Sequence, residues 1–361
     1  MAWFGWKPGR EESRPVLSRV LGGGLRVGVG EWPASYEAQV RAGYCRNAVA
    51  QRAVKLVAES VGGAPLNVSD DGLRALVARR GLLEAVAAQL LLHGNAFVQI
   101  GRGEDGRPAA LFALRPERVT VEPDAFGWPT AYRYTVAERV TRLPAESVIH
   151  VRAFNPVDDH YGLGCLGAAS GAIAIHNAAA AWNKALLDNA ARPSGALVYD
   201  AGDGATLSAE QFRRLKEEME AGFQGAANAG RPMLLEGGLK WQAMSLTPAD
   251  MDFVATKAAA AREIALAFGV PSMLLGLPGD STHANYKEAN KALWRLSVLP
   301  LAGAILSAMR EGLAEWFEGA VLEVDMDMVP ALVEDRERLW RMVAAADFVT
   351  RDEKRQMVGW A

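Results

Sequence analysis

Three stretches carry residue types that could do chemistry. Gly162-Leu163-Gly164-Cys165-Leu166-Gly167 is a formal G-x-G-x-x-G. It follows a predicted strand and opens a predicted helix, and the next predicted strand ends at Asp200. In that setting glycines let a backbone approach a pyrophosphate while an acidic side chain takes the ribose. Against a dinucleotide site, the seven residues Asn155 to Tyr161 separate strand from first glycine, where a tight turn is needed. The helix is also long for a crossover, and no further alternating β-α units follow. Small residues have a second use, since they let helices pack closely. Asp158-Asp159-His160 has the composition of a metal fragment or an acid–base pair but no second group of ligands, so a polar loop is the expectation. His150 lies in an apolar strand run and reads as a hydrogen-bonded core histidine. His93, His176 and His283 are isolated from one another and from any nucleophile motif. The sequence contains no P-loop, no H-E-x-x-H and no nucleophile elbow. No catalytic residue, metal or cofactor is expected.

The bulk properties narrow the classes further. With 361 residues, half of them hydrophobic, the chain can bury a large core and form two or three domains. A net charge of −3 argues against tight, sequence-independent nucleic-acid binding, which needs a basic surface, but leaves weak sliding contact open. Two cysteines, Cys45 and Cys165, give no disulfide framework and point to a reducing compartment. Residues 1–35 read as a flexible arm with an aromatic tip (Trp3, Phe4, Trp6) rather than a signal peptide. The uncharged run Gly162 to Asn183 is Ala- and Gly-rich with His176 and Asn177 inside it, so a tightly packed soluble helix is expected and no membrane partner.

The elements that must position these residues follow from periodicity. Tyr36 to Val61 reads as a helix stopped by Gly62-Gly63-Ala64-Pro65, and Leu73 to Leu92 as a second. Between them come a short strand (Leu66, Val68) and a turn at Asp70-Asp71-Gly72. Alternating segments from Ala96 to Phe154 predict one small antiparallel sheet domain, with a hairpin turn at Glu104-Asp105-Gly106. Gly167 to Ala190 is a long Ala-rich helix. A compact α/β unit follows: a strand at Ala196 to Tyr199, a helix capped at Ser208 with Gln211 three residues on, and a strand at Pro232 to Glu236. Thr247, Pro248 and Asp250 then start a helix about 30 Å long at 1.5 Å per residue. Its apolar seam is Met251, Val254, Ala258, Ala261, Ala265 and Phe268, and Gly269 with Pro271 stops it. An uncharged loop leads to a helix from Tyr286 to Phe317, bent at Pro300. A strand at Val321 to Met328 and helices at Leu332 to Ala346 and after Thr350 finish the chain. If the two long helices pair antiparallel, they hold the intervening unit at the end of a two-helix stalk.

The order of these pieces resembles the portal proteins of tailed double-stranded DNA bacteriophages and of phage-derived gene transfer agents, from about Tyr36 to Met357. Leu91-Leu92-His93-Gly94-Asn95-Ala96-Phe97 is similar to that family's "LLxGNAY", and Leu114 to Val119 to its "LxPxxV". Val148-Ile149-His150-Val151-Arg152 with Asn155-Pro156 and Tyr161-Gly162-Leu163 is similar to "VxHxR…(N/S)P…YGxSxL". Asn189 to Gly195 is similar to "NGAxPSG", and Asn228-Ala229-Gly230-Arg231 with Leu235 to Leu239 to "NAGRxxxLxxGxxW". Asp250 to Phe253, Arg262 to Ala265, and Phe268 to Pro271 with Leu275-Gly276 are similar to "DxxFxExRxxxxxxIAxxFGVPPxLLG". Each piece is weak alone; seven in order are specific. Ser272 stands where the family often has Pro, the segment between Leu66 and Leu82 is short, and so is the C-terminal region.

The resemblance implies an α+β portal fold in a ring of twelve at one capsid vertex of a virion or phage-like particle, assembled in the bacterial host cytoplasm. DNA would pass through its centre. Residues 36–166 and 319–330 would be an antiparallel-sheet wing, 167–191 and 247–269 a two-helix stem, and 192–246 a small α/β clip. Residues 270–286 would be a tunnel loop, 287–318 a long kinked wing helix, and 331–361 a short helical crown. The implied partners are double-stranded DNA without sequence preference, the large terminase, a head–tail adaptor and the major capsid protein. The tunnel-loop residues expected to face DNA are Leu274, Leu275, Leu277, Pro278, Asp280, Ser281, Thr282 and His283. Lys257 and Arg262 would line the channel, with pairing to Glu263 or Asp252 of a neighbour equally open. Gln224, Asn228 and Arg231 would meet the terminase or adaptor. A nucleotide-dependent enzyme using Gly162 to Gly167 is the alternative from a different class, and an oligomeric scaffold without DNA is a third.

Overall fold

The computed structural model describes residues 35–79, 81–188, 195–199, 208, 210–211, 213–215, 217, 239–243, 253–277 and 283–359. The chain divides into two units, one of residues 1–171 with 262–361 and one of residues 172–261.

The first unit opens with two helices where the periodicity predicted one: α1 (Tyr36–Ala42) and α2 (Ala48–Gly62). Asn47 makes the break. Its side chain accepts from the backbone N–H groups of Val49 and Ala50, which starts a new helix there. Ala50, Ala53, Val54, Val57, Ala58 and Val61 form the buried face of α2. After β1 (Leu66–Val68), the predicted turn at Asp70 is in fact an N-cap. The Asp70 carboxylate accepts from the Leu73 N–H to open α3 (Asp71–Val77). Gly81, at φ +80°, separates α3 from α4 (Leu82–His93), which packs against α2.

The predicted single sheet is two. β2 (Asn95–Arg102) pairs antiparallel with β3 (Pro108–Leu114) on one side and β7 (Val148–Arg152) on the other. β4 (Val119–Pro123), β5 (Pro129–Val136) and β6 (Arg139–Pro144) form a separate three-stranded meander. β6 escaped the sequence reading because only Leu143 on it is buried, so it has no apolar alternation to detect. Phe97, Leu114, Val119, Val121, Tyr132, Leu143 and Val148 make one buried cluster across both sheets.

The same unit contains the chain's end. The run predicted as one helix bent at Pro300 comprises α7 (His283–Leu293), a π-turn (Trp294–Val298) and α8 (Leu299–Gly312). (α5 and α6 belong partly to the second unit.) The irregular turn precedes the proline, where the Leu299 N–H reaches back to the Trp294 carbonyl. Widening that turn accommodates a residue that lacks its own donor. This run, Asn285–Gly312, is long and apolar enough by composition to cross a membrane. Its Leu293, Val298, Ile305, Leu306 and Met309 are buried in the unit. β10 (Leu322–Val324) pairs with β1 across more than 250 residues of sequence, Leu66 opposite Val324. α9 (Val333–Ala345) and α10 (Arg351–Met357) follow, and the capping box at Thr350 and Glu353 is present.

In the second unit, α5 (Cys165–Asp188, from residue 172 onward) leads to β8 (Gly195–Tyr199). β8 pairs antiparallel with β9 (Leu239–Ala243), Gly195 opposite Ala243. The chain returns in α6 (Phe253–Ala267, up to residue 261). The predicted strand at Pro232 to Glu236, the cap at Thr247 and Asp200 lie outside the described residues. The partner found for β8 is β9, which the sequence reading missed. Ser208 and Gln211 do form their reciprocal cap: the Ser208 N–H donates to Gln211 Oε1 at 2.9 Å, and the Gln211 N–H donates to Ser208 Oγ at 3.2 Å.

Candidate functional site

The glycine motif, Asn95 and His150 meet at one junction. The Asn95 side chain is 1% exposed. Its Oδ1 accepts from the Gly162 N–H at 2.7 Å and from His150 Nε2 at 3.1 Å. Its Nδ2 donates to the Gly162 carbonyl at 3.1 Å and faces His93 Nδ1 at 3.2 Å. The Gly162 N–H can only donate, which fixes the amide's orientation. The Ala153 N–H donates to the Gly94 carbonyl at 2.8 Å. His150 also stacks on Phe97 with ring centroids 4.1 Å apart, as a core histidine should.

This arrangement gives the glycines their reason. Gly94 lies at φ +81°, and a Cβ there would overlap the backbone of Leu163 and Gly164. A Cβ on Gly162 would overlap the Gly94 carbonyl oxygen, and one on Gly164 would sit 2.7 Å from the Leu92 carbonyl oxygen. The space beside these glycines is therefore filled by the protein's own backbone, where a pyrophosphate would have to lie. The preceding strand, β7, is also antiparallel to its neighbour, so the parallel unit of a dinucleotide site is not formed here. Asp158 acts locally, its Oδ1 accepting from the N–H groups of His160 at 2.7 Å and Tyr161 at 2.8 Å. Tyr161 then turns its hydroxyl onto the Val121 N–H at 2.9 Å, tying the loop to β4. Among the described residues, no group of His, Cys, Asp and Glu is arranged to hold a metal ion.

The elements around the expected channel are partly described. On α6 the buried positions are Ala260, Ala261, Ile264 and Ala265, followed by Phe268. Of the predicted seam, Val254 is 81% exposed, and Leu266 beside it is 79% exposed. Helix period alone could not say which apolar stripe this protomer covers. Lys257 is half-buried and Arg262 exposed. Within the second unit, burial and the nearby Lys257 ammonium both push the His176 imidazole below its ordinary pKa, burial more strongly. This places α5 and α6 side by side at that level. Burial alone pushes the Cys165 thiol up.

The helix stop after α6 is as predicted. Gly269 has φ +64°, the Val270 N–H returns to the Ala265 carbonyl at 2.9 Å, and Val270 is buried. Ser297, in the π-turn, donates its hydroxyl to the Gly269 carbonyl at 2.6 Å and so pins this corner. The expected open loop is partly structured. Ser272–Leu275 form a 3-10 turn ended by Gly276, and it packs on α2 and α7. Leu274, Leu275 and Leu277 are half-buried. His283 begins α7, so that helix starts three residues earlier than predicted. Pro278, Asp280, Ser281 and Thr282 lie outside the described residues, as do Gln224, Asn228 and Arg231.

The sequence profile described as "Phage portal protein" matches residues 48–359. The chain belongs to the phage portal protein family. A protein solved in the neck of a native gene transfer agent particle, computed with C12 symmetry, is 47% identical. It covers 96% of this chain and 99% of its own, with a TM-score of 0.71. A protein of Rickettsia bellii (strain RML369-C) is 38% identical over 343 residues, 88% of this chain and 87% of its own. The probable portal protein of Streptomyces phage phiC31 is 27% identical over 232 residues, 62% of this chain and 50% of its own.

As a portal, the chain uses its family-like motifs for architecture. Gly94-Asn95, His150, Asn155 and Tyr161-Gly162 all converge on the junction. Asn155 Nδ2 adds a 2.8 Å bond to the Tyr161 carbonyl. Ser297, the π-turn and the Asn95 amide were not singled out from sequence. Each acts through a partner more than 25 residues away, and no local pattern marks that.

Two outcomes follow. Asn95→Ala leaves the buried Gly162 N–H and carbonyl without partners, at about 1–3 kcal/mol each. Chemical denaturation should show a loss of about 3 kcal/mol or more, with no matching loss for the exposed control Glu104→Gln. For His176, the unfolded state binds a proton more readily than the folded one. Stability contributed by the second unit therefore falls as pH drops below about 6.5. His176→Gln should flatten the dependence of thermal stability between about pH 7.5 and 5.

Proposed function

We propose that twelve copies of this portal protein assemble as a ring at one capsid vertex and conduct double-stranded DNA during packaging and ejection. The observation that carries this reading is the 47% identity, over 96% of the chain, to a protein solved in a gene transfer agent neck computed with C12 symmetry. In this reading residues 36–166, 287–318 and 319–330 form the wing. The β1–β10 pairing supports grouping the first and last of these. Residues 167–191 and 247–269 are the stem, and 192–246, which include the β8–β9 ribbon, are the clip that meets the terminase and later the head–tail adaptor through Gln224, Asn228 and Arg231. Residues 331–361 are the crown, and the major capsid protein surrounds the wing. Assembly takes place in the host cytoplasm before the ring is built into the particle.

A conduit must touch DNA without gripping it, and each cation paired to a phosphate strengthens retention through counterion release. The tunnel loop fits that need. Leu274, Leu275 and Leu277 sit at its half-buried root, and Pro278, Asp280, Ser281, Thr282 and His283 face DNA with little positive charge. Lys257 and Arg262 supply sparse positive contact along the stem. ATP hydrolysis belongs to the partner motor, since this chain has no phosphate-binding loop of the P-loop type.

Mass photometry of the purified chain should show a species near twelve times the 38.7 kDa protomer. A monomer or dimer stabilised thermally by a nicotinamide dinucleotide would replace this reading with the enzyme one. In assembled rings, Lys257→Gln or Arg262→Gln should weaken duplex DNA binding irrespective of sequence. Each should make the salt slope of log K shallower by about 0.9.

A further inference from the structure

Lys287, Lys291 and Arg295 recur every four residues along α7 and its π-turn, which puts three cations on one face of the helix that leaves the loop. All three are held by the first turn of α9. Lys287 Nζ lies 2.9 Å from Glu334 Oε1. Lys291 Nζ lies 3.4 Å from Asp335 Oδ1, 3.8 Å from Glu334 Oε2 and 3.2 Å from Glu288 Oε1 of its own helix. Arg295 lies 2.7 Å from Asp335 Oδ2. Lys291 is only 9% exposed, a degree of burial that lysines tolerate only when paired. The two α9 carboxylates also sit where a helix N-terminus favours negative charge. With α9 docked, three cations meet three carboxylates; without it, only Glu288 remains.

The apolar grip on α9 is slight. Val343 is its one buried residue, and Met342 is 60% exposed. Beyond the cation face, Arg336 bonds Asp327 and donates to the Val358 carbonyl at 2.9 Å. Such a helix, held mainly by ion pairs, belongs to the low-stability end of a fold and opens locally before the body does.

We propose that Lys287, Lys291 and Arg295 form a latent phosphate-binding stripe for duplex DNA, which α9 covers through Glu334 and Asp335. The proposal rests on the conduit reading for its ligand. While docked, the crown helix keeps a basic stripe next to the tunnel loop from retaining DNA. Undocking exposes three phosphate partners on one helical face.

The test uses the full chain, wild type and Glu334→Gln/Asp335→Asn. Hydrogen exchange of peptides spanning 333–345 is measured alongside binding of a short mixed-sequence DNA duplex over a range of KCl concentrations. Removing both carboxylates leaves Lys291 buried without its α9 partners, so the helix should open and exchange should rise roughly tenfold or more. The salt slope should steepen by about 2–3, one increment for each uncovered cation. Adding Lys287→Gln, Lys291→Gln and Arg295→Gln to the double variant should return the slope to the wild-type value while exchange stays fast. Faster exchange with an unchanged slope would reduce the network to a structural clamp and overturn the proposal. Unchanged exchange would overturn it as well, since α9 would then be held by something else. Ring mass reads the conduit proposal separately: a steeper slope in a chain that forms no ring upholds the stripe and sinks the ring.

Discussion

The first unit depends on two backbone segments touching with no side chain between them. Residues 92–94 and 162–164 approach so closely that Gly94, Gly162 and Gly164 cannot carry a Cβ without overlap. Backbone brought this close and buried must have its polar groups matched. The Asn95 amide does this with both of its atoms, reaching Gly162 at the N–H and the carbonyl. One residue therefore joins the end of α4, the start of β2, the tip of β7 through His150 and the turn into α5. A larger residue at any of the three glycines separates these segments, and a shorter or apolar one at position 95 leaves them unmatched.

Around that junction the fold keeps positive charge local and answered. Arg152 donates to the Asp159 carbonyl, Arg142 lies 2.7 Å from Glu122, and the stripe on α7 is met by α9. For a chain proposed to surround a moving polyanion, pairing cations within the protomer lowers the counterion-driven grip without removing the residues. The apolar surface behaves differently. Val254 and Leu266 on α6, and Phe126 and Trp128 between β4 and β5, stand largely exposed in the single protomer. A ring built from head-to-tail contacts needs two different faces on every copy, and exposed apolar groups of this size are the material for them.

The amino-acid sequence by itself determined the element types, the cap at Ser208, the Gly269–Pro271 stop, the capping box at Thr350 and the ordered motifs of the portal family. These rest on local rules, in which a side chain within about four residues decides what the backbone does. Tertiary structure decided what the motifs are for. The G-x-G-x-x-G pattern is the same string whether its glycines admit a phosphate or another strand's backbone, and only the position of Gly94 chooses. It likewise decided that the β region splits into two sheets and that β1 finds β10 more than 250 residues away. It also decided that Lys291 is buried among carboxylates of another helix. Each of those outcomes is a pairing between distant segments, set by which surfaces exclude water together, and no window of sequence contains both partners.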